Sequence, residues 1–373
     1  MSHTAPPPDT SRVSASGQNS APIEWADPLR AASFRRWLVE LEVPHGLLPA
    51  SLRPASADAS FRRYLRIDTA QGSCIIMDAP PNAEDCRAFA HVASVMADAG
   101  INAPRVLAWD QANGFMLLSD LGSETMMQHL VQGQAQANLG LYLQAVELLL
   151  DWQLASKPNV LPVYAEPQLL NEMELFPQWY MAQHRGVVVD ASMRQTLDQS
   201  FQTIARESLA WPSVYVHQDF MPRNLMLQGV SAGSVPQPLG VLDFQDAVYG
   251  PITYDIASLM RDAFVSWEED FVLDVTVRYW ERARAAGLPV GSDFGAFYRG
   301  VEWIGLQRHL RITGTFARLT LRDGKPQYLA DTPRFIQYIR ATAGRYRELR
   351  PLLRLVDKLE GVQDAPGYAF GRV

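Results

Sequence analysis

Two short stretches carry residues suited to chemistry. His217-Gln-Asp219-Phe-Met-Pro-Arg-Asn224 follows the apolar alternation Ser213-Val-Tyr-Val216, and Leu239-Gly-Val-Leu242 ends in Asp243-Phe-Gln-Asp246. The pattern His-x-Asp-x-x-x-x-Asn with a separate Asp-Phe supplies what phosphoryl transfer from ATP needs. One carboxylate sits beside an acceptor hydroxyl, and an amide with a second carboxylate holds a divalent cation on the phosphates. Asp219 is therefore the candidate catalytic base. Asn224 and Asp243 are candidate ligands for Mg²⁺, a hard ion that prefers oxygen donors. Asn224 has an alternative use as an Asx-turn or cap residue. His217 reads as a brace for the turn, and Asp246 either reaches the metal or shapes the loop. Asp255, at a helix start after Tyr249-Gly-Pro-Ile-Thr-Tyr254, favours the helix dipole or supports the catalytic turn from behind.

The surrounding patterns define the elements that must position these residues. A helix is expected over 25–43, opened by Asp27-Pro28. A loop of small residues (52–60) leads to strands at 61–67 and 74–77, joined at Gln71-Gly72. Pro80-Pro81 precedes a helix over 83–97, and 106–109 with 114–118 read as a second hairpin. Beyond it the texture changes to helices over 139–154, 172–183, 193–209, 256–264, 271–286 and 294–314. The expected fold is α+β and bilobal. A small β-rich N-lobe over 25–122 binds nucleotide and ends in a connector, and a larger helical C-lobe over 123–373 carries the catalytic, metal-binding and sugar-binding parts. A cleft between two such lobes is where a small molecule would bind.

Composition narrows the partners. The chain has 373 residues, 47% hydrophobic and 20% charged, as in an ordinary globular protein. A net charge of −7 argues against nucleic acid. No apolar window is long enough to cross a membrane. Cys74 and Cys86 cannot build a disulfide framework, which suits a reduced cytoplasmic setting. The Pro- and Ser-rich start lacks a secretory signal and reads as a disordered tail over 1–24. A monomer is expected.

The signature pattern resembles the aminoglycoside phosphotransferase branch of the protein-kinase-like superfamily, through His217-Gln-Asp219-x-x-x-x-Asn224, Asp243-Phe244 and Tyr254-Asp255. Longer phrases look like the bacterial anomeric kinases of N-acetylmuramate and N-acetylglucosamine. They include Asp58-Ala-Ser-Phe-Arg-Arg-Tyr64, Met77-Asp-Ala-Pro-Pro81, Leu118-Ser-Asp-Leu-Gly122, Leu242-Asp-Phe-Gln-Asp-Ala-Val-Tyr-Gly-Pro251 and Leu306-Gln-Arg-His-Leu310. The resemblance implies ATP-dependent phosphorylation of the sugar's anomeric hydroxyl, the sugar 1-phosphate feeding nucleotide-sugar synthesis in peptidoglycan recycling. It also implies that the loop containing Ser60 and Phe61 covers the ATP phosphates, and that Ser119 and Leu121 face adenine. Another acceptor (an aminoglycoside, choline, homoserine or a different sugar) and a nucleotide-binding pseudokinase scaffold are the alternatives.

This chain departs from the pattern in one respect that matters. Kinases of the superfamily carry a lysine on the third strand, whereas the only lysines here are Lys157, Lys325 and Lys358. An arginine of the first lobe is the expected substitute, with Arg62 and Arg66 as the candidates, since a guanidinium fork suits phosphate well. Arg63 shares the other strand face, and all three arginines have the alternative of being solvated. For the sugar, Glu174 and Trp179 combine a hydroxyl acceptor with a flat apolar face. Arg308 is a further candidate, for the lactyl carboxylate of N-acetylmuramate or for a phosphate, with a surface position as the alternative.

Overall fold

The computed structural model describes residues 23–25, 27–56, 62–82, 84–228 and 238–362. Ser60 and Phe61 lie outside the described residues, as does all of the expected tail except Ile23 and Glu24. The chain divides into two compact units, the first comprising residues up to Cys86 together with Val106–Asp120, the second Arg87–Arg105 together with Leu121 onward. The change of unit at Asp120 falls inside the expected connector. Residues 87–105, however, group with the second unit rather than with the contiguous stretch 25–122. The reason is local packing: Phe89, on helix Arg87–Asp98, lies 4.8 Å from Phe244.

The first unit is built on an antiparallel sheet. Its strands are β1 (Leu47–Ser56), β2 (Arg63–Thr69), β3 (Gly72–Asp78), β4 (Val106–Asp110) and β5 (Phe115–Ser119), in the order β1-β2-β3-β5-β4. Strand β1 replaces much of the loop expected over 52–60. Pro49 and Pro54 hide it in the sequence, and they are tolerated because β1 is an edge strand whose pairing with β2 is interrupted by register shifts. Helix Pro28–His45 begins as the sequence indicates, with Asp27 accepting the Leu29 N–H at 2.8 Å and Pro28 in the first turn. It covers one sheet face, burying Phe34, Trp37 and Leu38 against Leu65, Ile67, Ile76 and Leu117. Each such side chain contributes on the order of 2 kcal/mol of apolar burial. Alternation along β2 then sends Arg66 and Tyr64 to the opposite face.

The second unit is mainly helical. The candidate site segments are carried by two short antiparallel pairs, β6 (Ser213–Val216) with β9 (Val248–Pro251), and β7 (Leu225–Met226) with β8 (Gly240–Val241). The helix expected over 172–183 is two pieces, Glu166–Met173 and a wider-wound π segment, Phe176–His184. Helix Phe294–Leu321 runs for 28 residues and passes close to the junction between them. A Cβ on Gly314 would lie 2.3 Å from the Leu175 carbonyl oxygen, so only glycine permits this approach. Helices Thr332–Arg345 and Arg350–Leu359 complete the unit. No helix among the described residues is long and apolar enough to cross a membrane.

Candidate active site

The strand pairings explain why residues distant in sequence meet. In β7–β8, Leu225 pairs with Val241, so Asn224 and Leu242 flank the same end. The Leu242 N–H donates to the Asn224 carbonyl at 2.9 Å. Asp243 follows, in the left-handed region with φ 63°, a conformation that costs an L residue about 1–2 kcal/mol. The Asn224 Nδ2 donates to the Asp219 carbonyl at 2.9 Å and reaches Asp243 Oδ2 at 3.4 Å. With its nitrogen committed in this way, Asn224 presents Oδ1 as its remaining donor atom. Gln245 Nε2 holds Asp243 Oδ1 at 2.9 Å and Asp246 Oδ2 at 3.3 Å. The set is all-oxygen. Among the described residues no cluster of three His, Cys, Asp or Glu could hold a metal. Two oxygen ligands nevertheless fit Mg²⁺, which usually takes one or two carboxylates and completes its octahedron with waters and phosphate oxygens.

The turn before Asn224 is braced from its buried side. Pairing of β6 with β9 brings Asp255, in helix Tyr254–Met260, behind His217 and Gln218. The fully buried Asp255 carboxylate accepts the N–H of His217 at 2.7 Å and of Gln218 at 3.0 Å. Burial pushes its pKa up to about 7, against the pull of those two donors and of Arg308. His217 is also buried, and burial pushes its pKa down to about 4. Its neutral ring donates from Nε2 to the Leu242 carbonyl at 3.0 Å, tying the two signature loops together. That is a bracing position.

Gln218 is a non-glycine residue at φ 75°. Its side-chain nitrogen donates to the Asp246 carbonyl at 2.6 Å, and its own carbonyl accepts from Ser258 and Arg308. These bonds hold a strained residue immediately before Asp219. Asp219 itself remains 31% exposed, with Oδ1 3.7 Å from Arg308 Nη2. A carboxylate fixed at its backbone and open at its head is well placed to meet an acceptor hydroxyl.

The substrate candidates separate. Arg308 is only 2% exposed and lies over the Tyr254 ring at 5.0 Å, so it is not a surface arginine. Its Nη1 donates to the Gln218 carbonyl and its Nη2 lies 3.7 Å from Asp219 Oδ1, while Nε and Nη2 are buried without a hydrogen-bond partner among the described residues. Glu174 is held through both oxygens by Arg194, at 2.8 and 2.9 Å, on helix Ala191–Leu209. Trp179 lies half-buried on the π segment, and among the described residues no bond or ring contact ties it to Asp219. Glu172 has a different environment. Two positions apart on a helix means about 200° of rotation, so Glu172 and Glu174 face different neighbours. Glu172 accepts from Tyr164 at 2.7 Å and Gln307 at 2.8 Å, and pairs with Arg311 at 3.7 Å.

The arginines of the first unit also separate. Arg63 pairs with Asp78 at 2.7 Å and lies over the Trp25 ring at 4.0 Å. Arg66 makes a two-pronged contact with Asp120, at 2.6 and 3.0 Å, and Ser73 donates to the same carboxylate at 2.7 Å. Arg62, just before β2, pairs with Glu84 at 3.2 Å and is 11% exposed. Ser119 ends β5 opposite Cys74, and Leu121 is buried in the second unit, where its Cδ1 would lie 2.8 Å from a Cβ on Gly240.

A sheet-based unit and a helical unit with this braced turn are the features of kinase-like phosphotransferases. The phosphotransferase enzyme family matches over residues 51–290, and the chain belongs to that family. It is 46% identical over 341 residues to an N-acetylmuramate/N-acetylglucosamine kinase of Pseudomonas aeruginosa, covering 90% of this chain and 98% of the relative. A kinase of the same description from Neisseria meningitidis is 46% identical over 319 residues, covering 85% and 93%. Among solved structures, a choline/ethanolamine kinase family protein from Mesorhizobium loti superposes with TM-score 0.56 at 13% identity, covering 88% and 99%. Wild-type aminoglycoside 2'-phosphotransferase-IIIa in its GDP complex gives 0.54 at 13% identity, covering 84% and 99%. These two likenesses concern the fold.

Proposed function

We propose that the protein is an ATP-dependent kinase that phosphorylates the anomeric hydroxyl of N-acetylmuramate and N-acetylglucosamine, in the cytoplasm, to give the sugar 1-phosphate. The observation that carries this reading is the Asp219 turn. Its backbone is fixed by Asp255 and Arg308, its carboxylate is open, and Asn224 bonds both its carbonyl and Asp243. The names of the relatives supply the acceptor class.

In this reading Asp219 orients the C1 hydroxyl and takes its proton as the oxygen bonds to the γ-phosphorus. The bond to the β,γ-bridging oxygen breaks, and ADP leaves with that electron pair. Asn224 and Asp243 would hold Mg²⁺, which when bound neutralises phosphate charge. On the first unit, Arg62 and Arg66 are the arginines proposed for the phosphates, Arg62 paired with one carboxylate oxygen of Glu84 and Arg66 with both of Asp120. Ser119 and Leu121 remain the adenine-facing candidates, and Ser60 and Phe61 those for the phosphate loop.

The test is ATP consumption over a panel of amino sugars, aminoglycosides and choline, followed by phosphorus NMR of the product. Turnover with the two named sugars and phosphate on C1 is expected. Phosphate on C6, or turnover with a different acceptor only, would overturn the assignment. ATP binding without turnover of any acceptor would make the protein a scaffold. Asp219→Asn should lower kcat by at least about 10³-fold, the scale of lost base and orientation effects, with ATP affinity kept.

A further inference from the structure

Arg308 and Arg311 lie three residues apart on helix Phe294–Leu321, hence on one face, yet they are used differently. Arg308 is buried and turned to the backbone of the catalytic turn. The Arg311 side chain is 26% exposed. Among the described residues its polar contacts all run through Nη1, which meets Tyr254 Oη at 3.1 Å, Gln218 Oε1 at 3.3 Å and Glu172 Oε2 at 3.7 Å. The other two guanidinium nitrogens, Nε and Nη2, are left uncommitted. Glu172 is itself anchored by Tyr164, Gln307 and Gln168, so it orients Arg311 and does not compete for a ligand. The result is a guanidinium anchored at one nitrogen, next to the residue that precedes Asp219. Such a fork is preorganised to take a carboxylate through two nitrogens.

We propose that Arg311 binds the lactyl carboxylate of N-acetylmuramate and thereby sets the balance between the two sugars. This rests on the acceptor reading above. The two sugars differ at C3, where one carries a lactyl ether and the other a hydroxyl, and C3 is separated from the reacting C1 by a single ring carbon. A carboxylate on C3 therefore travels with the anomeric hydroxyl toward Asp219. Without Arg311 it would meet the Asp219 and Glu172 carboxylates, and the like charges would exclude it. N-Acetylglucosamine brings no such charge and has less need of Arg311.

The experiment compares kcat/KM for both sugars in the wild type, Arg311→Met and Arg311→Lys, with melting temperatures as a check on folding. In the methionine variant the preference for N-acetylglucosamine over N-acetylmuramate should rise about 10- to 100-fold, the range for a charge-assisted hydrogen-bonded contact, mainly through KM for N-acetylmuramate. The lysine variant, which keeps charge and loses the fork, should fall between. A ligand-side arm avoids any folding question: the methyl ester of N-acetylmuramate should be a poorer substrate of the wild type by a similar factor. Equal losses for both sugars would assign Arg311 to the phosphates or to the turn and overturn the proposal. So would an ester that reacts as well as the acid. A wild type that phosphorylates neither sugar refutes the acceptor reading, an outcome distinct from an unchanged preference in the variants.

Discussion

The Asp255 carboxylate and the His217 backbone N–H are joined at 2.7 Å, with the Gln218 N–H joining the same carboxylate at 3.0 Å. No substrate need touch Asp255 for this contact to govern the reaction, because it fixes the backbone that carries Asp219. Asp255→Asn keeps the shape and loses the second acceptor. Leaving a buried N–H unpaired costs about 1–3 kcal/mol, so kcat should fall by about 10- to 100-fold if that loss is felt at the transition state. Removing a buried charge offsets part of the stability loss, so the melting temperature should change little. A large drop in melting temperature with unchanged kcat would reduce Asp255 to a fold-stabilising residue.

The absence of a first-unit lysine makes the arginines separable. Arg62→Met should raise KM for ATP by about tenfold, the lower end for a charged hydrogen-bonded contact, with a small effect on stability. Arg66→Met should act mainly on stability. It leaves the Asp120 carboxylate, whose side chain is 4% exposed, with Ser73 but without its guanidinium, and breaking a buried pair costs about 3 kcal/mol. Nucleotide titrations and thermal melts of the two variants distinguish these roles. An unchanged KM in Arg62→Met would return the phosphate contact to another residue.

Acid sensitivity should trace in part to Glu269. Burial pushes its carboxyl upward, but hydrogen bonds from Arg345 and Tyr298 and the nearby Arg261 outweigh that and hold it at about 2, against an ordinary 4.5. A depressed acid contributes stability that is fully present above the unfolded value and is lost as pH falls from about 4.5 toward 2. Glu269→Gln should therefore melt lower than the wild type at pH 6 and approach it as the pH falls below 4. Parallel melting curves across that interval would assign the acid transition elsewhere. Glu269 is partly exposed, so salt should reduce the difference.

How legible the site was depended on whether its parts are local in sequence. That Asp219, Asn224 and Asp243 come together could be read directly, because they sit at the ends of short apolar strands at short fixed spacings. The helix start at Asp27-Pro28 was legible for the same reason. Strand β1 was not, since its prolines argue against a strand until its edge position is known. That Glu174 meets Arg194 while Glu172 meets Arg311 was not legible either, because composition cannot tell which neighbour each face of a helix finds. Arg308, chemically a surface residue, is buried because Gln218 and Asp219 supply its partners.

The sequence by itself therefore determined the phosphoryl-transfer chemistry, the two-lobed α+β expectation and the missing lysine, all of which follow from residue types at short range. The tertiary structure alone decided which carboxylate each arginine meets, and which carboxylate braces the turn. Those assignments depend on pairings between residues 15 to 139 positions apart, from Arg63 with Asp78 to Glu172 with Arg311. Strand pairing within the first unit, and in the second the seating of helix Tyr254–Met260 behind His217 and the approach of the long helix to Glu172, bring such groups within bonding distance.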